Sequence, residues 1–224
     1  MSRSRSIDIV QVQLFWPAVV LLVQAPGPAL ARRGVADLYQ ESYKLEAAKR
    51  YRRALRALEG IEAGERSTYF YQLRLAWLRH LNGQHPTAIL AYQTAAAMKP
   101  HAVEPLIGLM LPQMASRRWK DALGTARRAL RLAPGTYLAS TRLAWVLFNL
   151  GRYTESAKAS RQVLERYPAD LEVRRGLGWA LLRQGKTLEG CHAFAVLLRR
   201  SPSTPSLPVA CASPSSKTAH NLRR

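Results

Sequence analysis

Acidic residues are scarce in this chain: 14 aspartates and glutamates stand against 34 lysines and arginines, for a formal net charge of +20. A surplus of that size ordinarily points to nucleic acid or an anionic surface. Cysteine occurs only twice, as Cys191 and Cys211. The pair forms one disulfide, which would pin the C-terminal tail onto the segment before it, or stays as two free thiols. The five histidines, His80, His85, His101, His192 and His220, show no metal-ligand spacing, and no cysteine pair stands near them. There is no G-x-S-x-G elbow, no glycine-rich phosphate loop and no convincing strand pattern. These absences argue against an enzyme and against a cofactor. The apolar run Leu14 to Val23 is about ten residues long and contains Pro17, too short to span a bilayer comfortably.

What the chain does have is a period. Pro100, Pro134, Pro168 and Pro202 recur every 34 residues. Upstream of each, at a constant distance, lie Gly83, Arg117, Gly151 and Gly185, three of them the residue that best turns a chain between two helices. Further register positions read Leu75, Leu109, Leu143 and Leu177, then the small set Ala88, Ala122, Ser156 and Gly190, then Ala95, Ala129, Val163 and Leu197. A fixed period of this length marks stacked hairpins, each burying its apolar face against the next.

The pattern resembles the tetratricopeptide repeat family, a 34-residue helix–turn–helix with a Leu-Gly-like pair, small alanines and a closing proline. The resemblance implies an all-α fold, a right-handed α-solenoid of stacked TPR-like hairpins. Four repeats are expected at 69–102, 103–136, 137–170 and 171–203. Residues 32–68 read as an N-terminal helical or partial repeat, in which Ala47, Tyr51, Ala54 and Leu55 match a second helix. In the second unit Pro112 falls in the body of a helix and, with Gly108, is expected to kink it.

The two ends differ from the array. Residues 1–31 have the layout of a secretory signal peptide: Arg3 and Arg5, the apolar run, then Ala29-Leu30-Ala31 before a cleavage point. The expected location is therefore periplasmic, the alternative being an uncleaved inner-membrane anchor. Residues 204–224 are rich in proline and serine and read as a disordered tail. A repeat array normally needs a terminal element with a polar outer face. Without one, Phe194, Leu197 and Leu198 would be left partly open, unless the tail folds over them, a partner covers them, or the array is a truncated one. An exposed apolar end would favour self-association through the uncapped repeat. Export also argues against nucleic acid as a partner despite the charge. Many arginines, Arg127, Arg128, Arg131, Arg161 and Arg166 among them, occupy the later turns of second helices, where cations complement the helix dipole.

In relatives of this fold the first helix of each hairpin lines a concave face along which partners lie. By that analogy the groove carries Trp77, Leu111, Trp145 and Trp179 at one register position and His80, Met114, Phe148 and Leu182 at another, with Arg74, Arg142, Arg175 and Arg183 nearby. Large aromatics and arginine are the residue types that anchor interfaces. The competing reading has the tryptophans thickening the core. Some family members grip acidic C-termini with a Lys/Asn/Arg clamp, but that register here gives Leu73, Trp77, Gly108, Leu138 and Arg142, of which only Arg142 fits. The resulting expectation is a scaffold that binds a protein or peptide segment of apolar or aromatic character. Two alternatives remain: an envelope assembly or secretion adaptor beside an outer-membrane β-barrel, or a basic protein that holds anionic lipid or polysaccharide.

Overall fold

A computed structural model of the chain describes residues 34–200 together with Cys211. The expected signal peptide lies outside these residues, and so does the expected tail apart from Cys211. Eleven helices and no strands are found among the described residues: α1 Val35–Ala47, α2 Tyr51–Glu59, α3 Ala63–Arg66, α4 Tyr69–Leu81, α5 His85–Met98, α6 Glu104–Ala115, α7 Trp119–Leu132, α8 Tyr137–Asn149, α9 Tyr153–Arg166, α10 Leu171–Arg183 and α11 Thr187–Arg200. None of them is long and apolar enough to cross a membrane.

The helices pair as antiparallel hairpins, α4/α5, α6/α7, α8/α9 and α10/α11, one to each expected repeat. Successive hairpins stack into an α-solenoid. Each first helix also touches the first helix of the next unit, α4 with α6, α6 with α8 and α8 with α10; no two second helices approach as extensively among the described residues. First helices that crowd while second helices splay put the first helices on the inner, concave side.

The turns explain why the period is so regular. In each, the chain reverses through one residue in the left-handed region: Gly83 at φ 75°, Gly151 at 75° and Gly185 at 79°. The flanking amides close onto the end of the first helix in a paired pattern, as where Gly83 N–H donates to the His80 carbonyl at 2.9 Å and Gln84 N–H to that of Arg79 at 2.8 Å. This is the arrangement in which a glycine after the helix end satisfies orphan carbonyls. Arg117 adopts the same conformation at φ 56° without being glycine.

Residues 35–66 form a complete hairpin, more than the second helix alone that the sequence suggested. Lys49, at φ 56°, stands one period before Gly83 and turns the chain between α1 and α2 with the same pair of hydrogen bonds. This unit is worn at its far end. α2 has nine residues, whereas α5, α7 and α9 have 14. Arg66, standing where the other units have proline, donates to the carbonyls of Ile61 at 2.7 Å and Glu59 at 2.6 Å, capping the shortened helix.

Pro112 does not interrupt its helix, since α6 continues from Glu104 to Ala115 around it. Its ring is fully buried at the register position filled by Leu78, Val146 and Ala180 in the other units. Gly108 has a separate duty: a Cβ there would lie 2.2 Å from the Tyr92 ring, so the ring packs directly on the helix backbone. At the C-terminal end, two of the side chains in question are buried. Phe194 is 7% and Leu197 3% exposed, and Cys191 is bonded to Cys211.

Because Arg117 carries the cost of a left-handed backbone that its glycine counterparts avoid, Arg117→Gly should stabilise the protein by about 1 kcal/mol. Thermal denaturation followed by circular dichroism should show a midpoint raised by roughly 2–4 °C. A lowered midpoint would mean that the arginine side chain contributes more than the turn costs.

Candidate partner-binding groove

Among the described residues, two hollows open on the concave side with a filled middle between them. The hollow toward the C-terminus, about 510 Å³, lies between α8 and α10. Trp145 and Phe148 form one wall, Val173, Arg175, Gly176 and Trp179 the other, and Ser156 and Ser160 of α9 lie at the floor. The rings are held from behind. Trp145 stacks on Phe148 at 5.8 Å between centroids, Phe148 meets Tyr153 edge-on at 5.4 Å, and Trp179 meets Phe194 edge-on at 5.4 Å. Yet Trp145 remains 48% and Trp179 42% exposed. Two tryptophans backed by other aromatics and half open to solvent are not core filling; they are rigid apolar surface. Gly176 leaves the wall shallow, with no atom within 4 Å of where its Cβ would be.

Trp77, in the same register position, has a different fate. Its indole N–H donates to Glu46 Oε1 at 2.6 Å. The other oxygen of Glu46 accepts from Arg74, whose Nε also donates to Ser42 Oγ at 3.1 Å and whose guanidinium lies 3.8 Å over the Tyr43 ring. Arg74 is 6% exposed, so this ion pair seats α1 against α4. A second hollow of about 1130 Å³ opens beside it, lined by Tyr39, Tyr43, Phe70, Leu73 and Trp77.

The filled middle uses up the other expected groove residues. Arg142 donates across to the Ile107 carbonyl, one turn ahead of Pro112. Burial pushes its guanidinium pKa down, and burial likewise raises neighbouring Tyr92 to about 12. His80 Nδ1 lies 3.3 Å from His85 Nδ1. Burial first, then the charges of His85 and Arg142, lower its pKa from the ordinary imidazole value. Met114 packs onto the core between α7 and α8, and Leu111 is half-buried. At the far end Arg183 donates to Tyr153 Oη from Nε at 3.2 Å and from Nη2 at 2.9 Å. Arg175 pairs with Glu172.

Of the expected groove set, therefore, Trp145, Phe148, Arg175 and Trp179 come together in one hollow, and Trp77 lines the other. Arg142 and Arg183 are committed within the protein. The sequence reading missed Tyr43, Phe70, Glu172 and Gly176. Tyr43 lies one period before Trp77, but Glu41-Ser42 replaces the Leu-small pair there and hides the register. Among the described residues no three His, Cys, Asp or Glu side chains gather as a metal site.

Residues 113–161 and 141–205 match the tetratricopeptide repeat family profile. No functionally curated protein matches the chain in sequence. Among solved structures it is similar to MamA from Desulfovibrio magneticus RS-1, with a TM-score of 0.69 at 16% identity over 79% of this chain and 100% of that one. A thermophilic TPR protein of Thermus thermophilus gives 0.60 at 18% identity over 85% and 97%. A tetratricopeptide repeat protein from Parabacteroides merdae gives 0.69 at 17% identity over 84% and 75%. At these identities the likeness is one of fold.

The two kinds of tryptophan should separate on mutation. Glu46→Ala leaves the buried Arg74 charge without its partner and should cost about 3 kcal/mol, with Trp77 emission shifted to the red. Trp145→Ala, at a half-open site, should cost less than about 1 kcal/mol. Equal losses in chemical denaturation would return Trp145 to the core.

Proposed function

We propose that this chain, which has the fold of tetratricopeptide repeat proteins and matches their family profile over residues 113–161 and 141–205, binds a protein partner by gripping an apolar or aromatic segment in the hollow between α8 and α10. The observation that carries this reading is the pair Trp145 and Trp179, each backed by another aromatic ring and each half open. Exposed aromatic surface held in a fixed rotamer costs little side-chain entropy on binding, which is why such residues dominate interface energetics. Arg175 and Glu172 at the rim supply polar contacts of both signs. No catalytic role is part of this reading.

The proposed setting is the bacterial periplasm. The signal-peptide layout of residues 1–31 and the disulfide between Cys191 and Cys211 support it, since such bonds persist in oxidising compartments. Service beside an outer-membrane β-barrel is one form the proposal takes. The alternative, a basic surface protein for anionic lipid or polysaccharide, is favoured by the exposed arginines of the second helices, Arg127, Arg128 and Arg131.

Photo-crosslinking from position 145 in a cell-envelope fraction, with position 127 on α7 as control, tests the groove. A discrete adduct is expected at 145 alone. It should survive about 1 M salt, where exposed charges are screened within about 3 Å. Gly176→Leu fills open space on a helix, so it should leave the fold intact and reduce the adduct about tenfold or more. Salt-sensitive adducts at both positions would replace the groove with charge-driven adhesion, and none at 145 would remove the proposal.

A further inference from the structure

Every joint between hairpins in this solenoid is built on one pair of register positions. A residue on the second helix packs against the leucine 20 residues later, on the first helix of the next unit. Leu55 shares an apolar cluster with Leu75, and Ile89 with Leu109. Leu123 belongs to the cluster against which Leu143 packs, and Ala157 shares one with Leu177. The next pair in the series is Cys191 and Cys211. These two are joined by the disulfide, at the same separation of 20 and with 5.4 Å between their Cα atoms. Cys191 is 1% exposed, as deeply buried as Ala157 and Ile89 in their own joints. Cys211 is half-buried, and its backbone is helical.

The register extends beyond the cysteines. One period after Val173, Leu177, Gly178 and Ala180, which are buried, come Leu207, Cys211, Ala212 and Pro214. A proline at the last of these positions already has a precedent in the fully buried Pro112 of α6.

We propose that Cys211 stands against α11 at the register position of the leucine of a next first helix, and that the disulfide takes the place of the hydrophobic joint. A first helix of ordinary composition would hold this position by apolar contact. Leu207, Ala212 and the nearby prolines Pro205, Pro208 and Pro214 offer too little apolar area and too poor a helix for that. A covalent bond supplies what contact area does not, by restricting how far the segment can wander when it leaves. On this proposal the end face is an interaction surface held by the protein's own chain through Cys211. A second copy can stack on it only when the segment is released.

Two double variants of the full chain test this. Cys191→Ala with Cys211→Ser removes the bond and leaves a weak joint. Cys191→Ala with Cys211→Leu also removes it but restores the Ala157–Leu177 combination. With the bond gone and the joint weak, amides of α11 should exchange with solvent about tenfold faster, and light scattering should show dimers growing in with concentration. The alanine–leucine variant should return exchange to within about twofold of the parent and stay monomeric. If both variants behave alike, the register is irrelevant and the bond only tethers the segment. If the serine variant matches the parent in exchange and mass, the end needs no cap, and the proposal fails.

Discussion

No hairpin of this protein can bury its own apolar surface; each depends on the next one in the stack. The contact that answers this is the joint between a second helix and the following first helix, as between Ile89 and Leu109 or Ala157 and Leu177. Everything else keeps that joint in register. The turns at Lys49, Gly83, Arg117, Gly151 and Gly185 fix where each second helix starts, because a left-handed residue with its two amide bonds leaves the chain one way to reverse. Small side chains such as Ala88, Ala122 and Ser156 let the two helices of a hairpin close. A slip of one residue anywhere would misplace every joint beyond it, so the 34-residue period is a packing requirement as much as a sequence pattern.

The groove is what remains after packing is satisfied. First helices crowd together on the concave side, and side chains there are free only if no neighbour claims them. Arg74 and Trp77 are claimed by Glu46, Arg142 by the Ile107 carbonyl, and Arg183 by Tyr153. Trp145 and Trp179 are claimed only from behind, by Phe148 and Phe194, and keep one face open. One register position thus serves as structural anchor at one end of the solenoid and as rigid apolar surface at the other.

The two ends of the array are finished by different chemistry. At the first unit a shortened α2 has its carbonyls capped by the Arg66 guanidinium, and an ion pair seats α1. After α11 a disulfide stands where an apolar joint would be. The basic charge that dominates the composition enters neither device heavily. Arg152 pairs with Glu155, Arg161 with Glu189, and Arg127, Arg128 and Arg131 face solvent from a second helix.

The recurring prolines, turn residues and leucines of 69–203 determined the hairpins, their boundaries and their order, because those contacts are periodic and each residue type reports its own packing site. The same periodicity placed Trp145, Phe148, Arg175 and Trp179 on one face. It could not show that α1 is a repeat helix, since Glu41-Ser42 lacks the leucine that marks the others and only the Arg74–Glu46 contact reveals its seat. Nor could it say which arginines are spent inside the protein, that Gly108 receives the Tyr92 ring, or that Cys191 meets Cys211. Those outcomes turn on side chains from distant units competing for the same partner, and only the tertiary structure brings the competitors within reach of one another.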